Sequence, residues 1–221
     1  MSERANIKTL VIRPAEAALK TGDVTECIIS NILATGQVDV VGVGEAMFLV
    51  CSALNLSCEI AKIYLNQITL DTLDDPVLGK TSALFAHLSQ EQIADTEKQA
   101  LEEDKAMDNI GERTISVGHE IPIEKLITRS LMALARFEEI KLIAAGNSIN
   151  DAVSLAQKLA SGQISREPVG VKLVYLYSIN MRNDPAKRIS AISIYMQKGI
   201  SEKTAELMKI LHQKILAKEK G

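Results

Sequence analysis

Three cationic side chains, Arg182, Lys187 and Arg188, bracket the turn signal Asn183-Asp184-Pro185. An Asn-Asp-Pro stretch between two apolar, β-branched runs reads as the end of a hairpin, so the three cations would gather at one projecting tip. Cations placed this way can neutralise phosphates and release counterions, which drives sequence-independent contact with a nucleic-acid backbone. On the preceding run, Tyr175 and Tyr177 share a sheet face by the two-residue strand period. A ring beside such cations can stack on an unpaired base. The competing structural reading is a solvated turn, with the rings packed between sheet and helix.

Other chemistry is poorly supplied. Gly42-Val43-Gly44 follows an apolar run, but Met47 stands where a dinucleotide fingerprint needs its third glycine. Gly79-Lys80-Thr81 lacks the upstream glycine of a phosphate loop. His87, His119 and His212 are scattered, and none lies near a Ser, Cys or Asp at the spacing of a triad or a metal site. Cys27, Cys51 and Cys58 have aliphatic neighbours and read as buried reduced thiols. The expectation is a protein with no catalytic residues, no metal and no cofactor, and hence not an enzyme.

Those residues must be positioned by a folded body, and the composition supports one. Hydrophobic residues make up 47% of the 221, charged residues 24% and aromatics 3%, with no Trp. The core is therefore aliphatic, and the length suits two domains of about 100 residues. The longest apolar stretch, Val38 to Leu54, is interrupted by Asp39 and Glu45, which argues against a membrane span. The start Met1-Ser2-Glu3-Arg4 shows no apolar signal core, so a cytoplasmic location is expected. The net charge of −3 conceals an asymmetry: residues 1–113 carry 9 Lys and Arg against 18 Asp and Glu, and residues 114–221 carry 16 against 10. The halves stand at −9 and +6, and can attract each other as readily as a ligand.

The chain also repeats itself. Val38-Asp39-Val40-Val41-Gly42-Val43-Gly44-Glu45-Ala46-Met47 matches Ile140-Lys141-Leu142-Ile143-Ala144-Ala145-Gly146-Asn147-Ser148-Ile149 at an offset of 102. The same offset pairs Met47, Val50, Cys51 and Leu54 with Ile149, Ala152, Val153 and Ala156, the three-and-four spacing of a helix that buries one face. Upstream stripes, Ile28-Ile29-Ile32-Leu33 and Leu126-Ile127-Leu131-Leu134, predict an earlier helix in each copy. Strands are expected over 7–12, 59–72 and 81–88, and over 114–117, 169–180 and 189–196. Each copy then reads β-α-β-α-β-β, closing on a hairpin with a long loop.

The expected organisation is a first copy over 1–88, an acidic helical linker over 89–112, a second copy over 113–199 and a C-terminal helix over 200–221. Ser201 is a plausible cap for that last helix, and Leu207, Met208, Leu211, Ile215 and Leu216 mark one face. Lys214, Lys218 and Lys220 suit its negative end.

This order resembles the Alba family of small archaeal nucleic-acid-binding proteins. Ile121-Pro122-Ile123 is similar to that family's helix-one proline, and Glu139 to Gly146 to its second strand and turn; the first copy matches from Thr25 to Leu56. The resemblance implies an α+β fold of two tandem Alba-like domains forming an internal pseudo-dimer, with paired hairpin arms. It implies DNA or RNA as partner. Glu120 and Ile121 stand where the family carries a lysine pair, with Lys20 the nearest candidate in the first copy. Val43, Glu45, Ala145 and Asn147 replace its arginines beside the turn glycine. The expected binding set is Arg182, Lys187, Arg188, Lys20, Tyr175 and Tyr177, used asymmetrically because the first hairpin carries Asp71, Asp74 and Asp75. The alternative is an adaptor that has lost nucleic-acid binding and takes a protein partner, or a second copy, through an apolar face.

Overall fold

The computed structural model describes residues 7–14, 19–107, 110–162, 164, 167–181 and 183–199. The first half runs β1 (Lys8–Ile12), α1 (Thr21–Thr35), β2 (Gln37–Val43), α2 (Met47–Ile60), β3 (Tyr64–Asp75) and β4 (Gly79–Ser89). Then come α3 (Thr96–Ala106) and the single turn α4 (Ile110–Arg113). The second half runs β5 (Thr114–Ser116), α5 (Ile123–Arg136), β6 (Glu139–Ala145), α6 (Ser148–Ala160), β7 (Val169–Met181) and β8 (Asp184–Lys198). The result is an α+β structure with two four-stranded sheets, ordered β1-β2-β4-β3 and β5-β6-β8-β7. In each, the first pairing is parallel and the others antiparallel.

The repeated glycine has a backbone reason. Gly44 and Gly146 leave β2 and β6 at φ +56° and +58°, in the left-handed region where a side chain is strained. That bend lets α2 and α6 fold back over the strands they follow. Met47, Val50, Cys51 and Leu54, and their counterparts Ile149, Ala152, Val153 and Ala156, are then all buried. The close approach is tightest at Gly42, where an added Cβ would lie 3.0 Å from Val50.

One hydrophobic core serves both halves. Val38, Val40, Ile28 and Leu54 belong to the same buried cluster as Ile140, Leu142, Leu126 and Ala156. With that much apolar surface shared, neither half keeps its buried face dry without the other.

The halves are related by a local pseudo-two-fold. Phe48 and Asn150, equivalent at the offset of 102, touch each other: the Phe48 amide donates to Asn150 Oδ1 at 3.1 Å, and Asn150 Nδ2 to the Glu45 carbonyl at 3.2 Å. Equivalent residues in mutual contact lie near a two-fold axis. The bulges are equivalent too. One interrupts the β3–β4 ladder between Leu65 and Gln67, the other the β7–β8 ladder between Val171 and Leu173.

Several sequence expectations need correcting. Residues 59 and 60 end α2 rather than opening a strand, because the buried helical stripe runs on past Leu54 to Ser57, whose hydroxyl donates to the Ala53 carbonyl. The hairpins have long strands and short ends, not long loops: β3 pairs with β4 out to Asp75 and Gly79, and β7 with β8 out to Met181 and Asp184. Leu33 is 71% exposed, one position past the buried Ile32 on the turning helix. Cys27 is exposed, whereas Cys51 is buried and Cys58 half-buried. The expected helix over 201–221 lies outside the described residues.

Candidate nucleic-acid interface

The two hairpins are equivalent arms with opposite ends. The first is closed by an ion pair: Arg13 Nε sits 2.7 Å from Asp75 Oδ2, and that carboxylate is fully buried. Oδ1 of Asp75 accepts the amides of Val77 at 2.9 Å and Leu78 at 3.0 Å. Burial alone would push this carboxyl upward. The guanidinium and the two amides outweigh it and hold the group below its ordinary value.

The second arm is open. Residues 185–188 are all exposed, and its outer end carries Lys187 and Arg188. Lys187 is 73% exposed, with Asp184 at 3.8 Å. Arg188 is 55% exposed and reaches across to the first half, where Nη1 lies 2.9 Å from Glu59 Oε1 at the end of α2. Ser178 also donates to that carboxylate oxygen at 3.3 Å. Glu59 was not singled out from the sequence, because its partner lies in the other half. Arg182 lies outside the described residues.

Tyr175 and Tyr177 do share a face, with ring centroids 5.3 Å apart and planes at 13°. Tyr175 lies near the carboxylates of Glu97 and Asp95, however. Tyr175 packs beside Tyr195, Ala100 and Met107 under α3. Burial and the nearby carboxylates of Glu97 and Asp95 raise its phenol above the ordinary value. Lys20 sits in the first half at the start of α1, where its amide donates to Asp23 at 2.8 Å. No hydrogen bond or ion pair joins it to the second arm among the described residues.

Part of the charge asymmetry is consumed inside the molecule. The acidic helix α3, from the negative part of the chain, lies across the outer face of the second sheet. Lys141 Nζ contacts both oxygens of Asp104 at 2.9 and 2.8 Å, and Tyr195 donates to the same carboxylate at 3.0 Å and to the Ala100 carbonyl at 3.2 Å. Lys172, at the bulge, lies 2.8 Å from Glu139 and 2.6 Å from Glu103, the latter an ionic contact rather than a well-directed hydrogen bond. Burial would lower that ammonium, but the two carboxylates outweigh it and raise it. In the first half, Asn66 stands at the equivalent bulge and ties down the approach to α3. It donates to Ser89 at 2.8 Å and Glu91 at 2.9 Å, and accepts from Ile93 at 2.7 Å.

Among the described residues, His87 pairs with Asp39 at 2.7 Å and His119 with Asp151 at 3.0 Å, while His212 lies outside them. No described helix is long and apolar enough to cross a membrane.

No protein-family model matches this chain, and no curated protein matches it. Among solved structures, the crystal structure of ALBA1 from Trypanosoma brucei is similar to it: 25% of residues are identical, 49% of this chain and 90% of that one are covered, and the TM-score is 0.34.

Proposed function

We propose that the chain is a non-enzymatic, Alba-like nucleic-acid-binding protein whose two halves act as an internal pseudo-dimer with one working arm. The observation that carries this reading is the contrast between equivalent arms. Asp75 is sealed by Arg13 on the first, while Lys187 and Arg188 stand exposed on the second. A projecting, two-sided ribbon with cations near its end suits the phosphate backbone of DNA or RNA. Tyr175 and Tyr177 lie farther down the same ribbon, and Lys20 would belong to a separate, weaker contact. The sequence likeness to Alba domains supports the same reading.

A second reading, an adaptor without nucleic-acid binding, is favoured by one observation: Arg188 already has a carboxylate partner in Glu59. Fluorescence anisotropy with duplex DNA, single-stranded DNA and structured RNA at low and physiological salt separates the two. Salt-sensitive binding that disappears when Arg182, Lys187 and Arg188 are all replaced by Ala supports the single-arm reading. Absence of binding to all three probes sinks it in favour of the adaptor.

A further inference from the structure

We propose that the outer face of the first sheet is the docking surface for residues 201–221 of this same chain. Val41, Val43, Leu73, Ala83 and Phe85 form a separate apolar cluster on that face, each no more than 7% exposed. They point away from the shared core, since Val38 and Val40, one strand step over, point into it. Helices α1, α2, α5 and α6 contribute to the shared core, α4 packs on β5 and β6, and α3 lies on the second sheet and meets the first only along its edge strand β3. Among the described helices none is left to cover the first sheet's outer face.

The pseudo-two-fold indicates what covers it. The segment after β4 crosses over and lays α3 on the outer face of the second sheet. The same relation, applied to the segment after β8, would lay it on the outer face of the first. Residues 201–221 are that segment. As a helix they would span about 30 Å, enough to cross four strands spaced about 4.8 Å apart.

Charge agrees, with both signs reversed. In the second sheet Lys141 and Tyr195 are register partners and receive Asp104 from the acidic α3. The equivalent register pair in the first sheet is Asp39 and His87, so a carboxylate replaces the ammonium. The segment 201–221 is correspondingly basic, with five Lys against three Glu, and carries the apolar stripe Leu207, Leu211 and Ile215. An acidic helix on a basic sheet is thus matched by a basic segment on an acidic one. The competing occupants of this face are a second copy of the chain and a foreign protein.

Zero-length carbodiimide coupling of the full chain, read by peptide mass spectrometry, is the primary test. The expected product is an amide between Asp39 and a lysine of 203–220 within a single chain. Coupling of those residues only between chains, or no such coupling, overturns the proposal. A second measurement uses the L207D/L211D double variant and hydrogen exchange. Amides of β2 and β4 should exchange about tenfold faster or more, while β6 and β8 keep their protection. Unchanged exchange in β2 and β4 overturns the proposal as well. Neither readout depends on nucleic-acid binding, so failure here and failure of the functional reading are distinguishable.

Discussion

Asn55 and Gln157 occupy equivalent positions on α2 and α6, and each donates its side-chain amide to a backbone carbonyl of the other half's hairpin. Asn55 Nδ2 reaches the Tyr177 carbonyl at 3.1 Å, and Gln157 Nε2 reaches the Asp71 carbonyl. The acceptors are themselves equivalent. Asp71 is opposite Ala83 and Tyr177 opposite Ala191, and those alanines face Val43 and Ala145, which are one repeat apart. Such reciprocity is what a two-fold interface demands, here between halves of one chain. Asn55 adds a bond to Ser190 Oγ at 3.0 Å.

Removing these amides should weaken the whole molecule. Asn55→Ala and Gln157→Ala are each expected to cost about 1–2 kcal/mol, because a partly buried carbonyl loses its donor. Urea unfolding followed by circular dichroism checks this, and it should show one transition because the core is common to both halves. Two resolved transitions would contradict that shared core.

Glu59 should act as a brake on the second arm. Glu59→Gln removes the carboxylate beside Arg188, and tighter binding of the anisotropy probes at low salt is expected. Lys187→Glu should weaken binding and make the salt slope shallower by roughly one phosphate contact or more. If Glu59→Gln leaves affinity unchanged, Arg188 is not a phosphate ligand.

The three thiols should react very differently. Burial pushes Cys51 up to about 12 and Cys58 up to about 11, so neither holds much thiolate at pH 8. Cys27 is exposed. Brief iodoacetamide treatment of the native chain should label Cys27 alone, and prior unfolding should expose all three to labelling. Mass spectrometry of the labelled peptides gives the count.

The Arg13–Asp75 pair should contribute to acid stability. Asp75 is held below its ordinary value in the folded chain. Its contribution is therefore complete above the unfolded pKa of about 3.9 and is lost as pH falls through the lower folded value. Asp75→Asn should lower stability near neutrality and flatten the acid limb of the stability curve, as measured by denaturant midpoints between pH 2 and pH 7.

Breaking the clasp on α3 should be more costly from one side than from both. Asp104→Ala leaves Lys141, whose side chain is only 14% exposed, without its carboxylate, and should destabilise by about 2–4 kcal/mol. Adding Lys141→Met should recover much of that loss, because no buried charge is then stranded. A double-mutant cycle in denaturant gives the coupling directly.

Much of the body was legible in the sequence, because it rests on local rules. The offset of 102, the glycines at 44 and 146 and the three-and-four stripes of α2 and α6 each reflect a backbone angle or a buried face, and these leave a periodic mark on neighbouring residues. The misplaced details lie where a single position depends on context. Cys27 and Leu33 each sit one residue to the side of a buried position of α1, Ile28 and Ile32, and strand pairing extended both hairpins through polar residues that read as turn.

The candidate site was less legible. Arg188 and Lys187 could be named from the turn signal beside them, but the pairing of Arg188 with Glu59 joins residues on different halves. The acidic surroundings of Tyr175 come from α3, which folds over its sheet from the segment between the halves. The sequence by itself determined the repeat, the strand and helix order within each copy and the opposite charges of the two parts of the chain, because local propensity and apolar periodicity specify these. Only the tertiary structure decided that the charges meet each other across the pseudo-two-fold, since ionic contacts depend on which surfaces the shared core brings together.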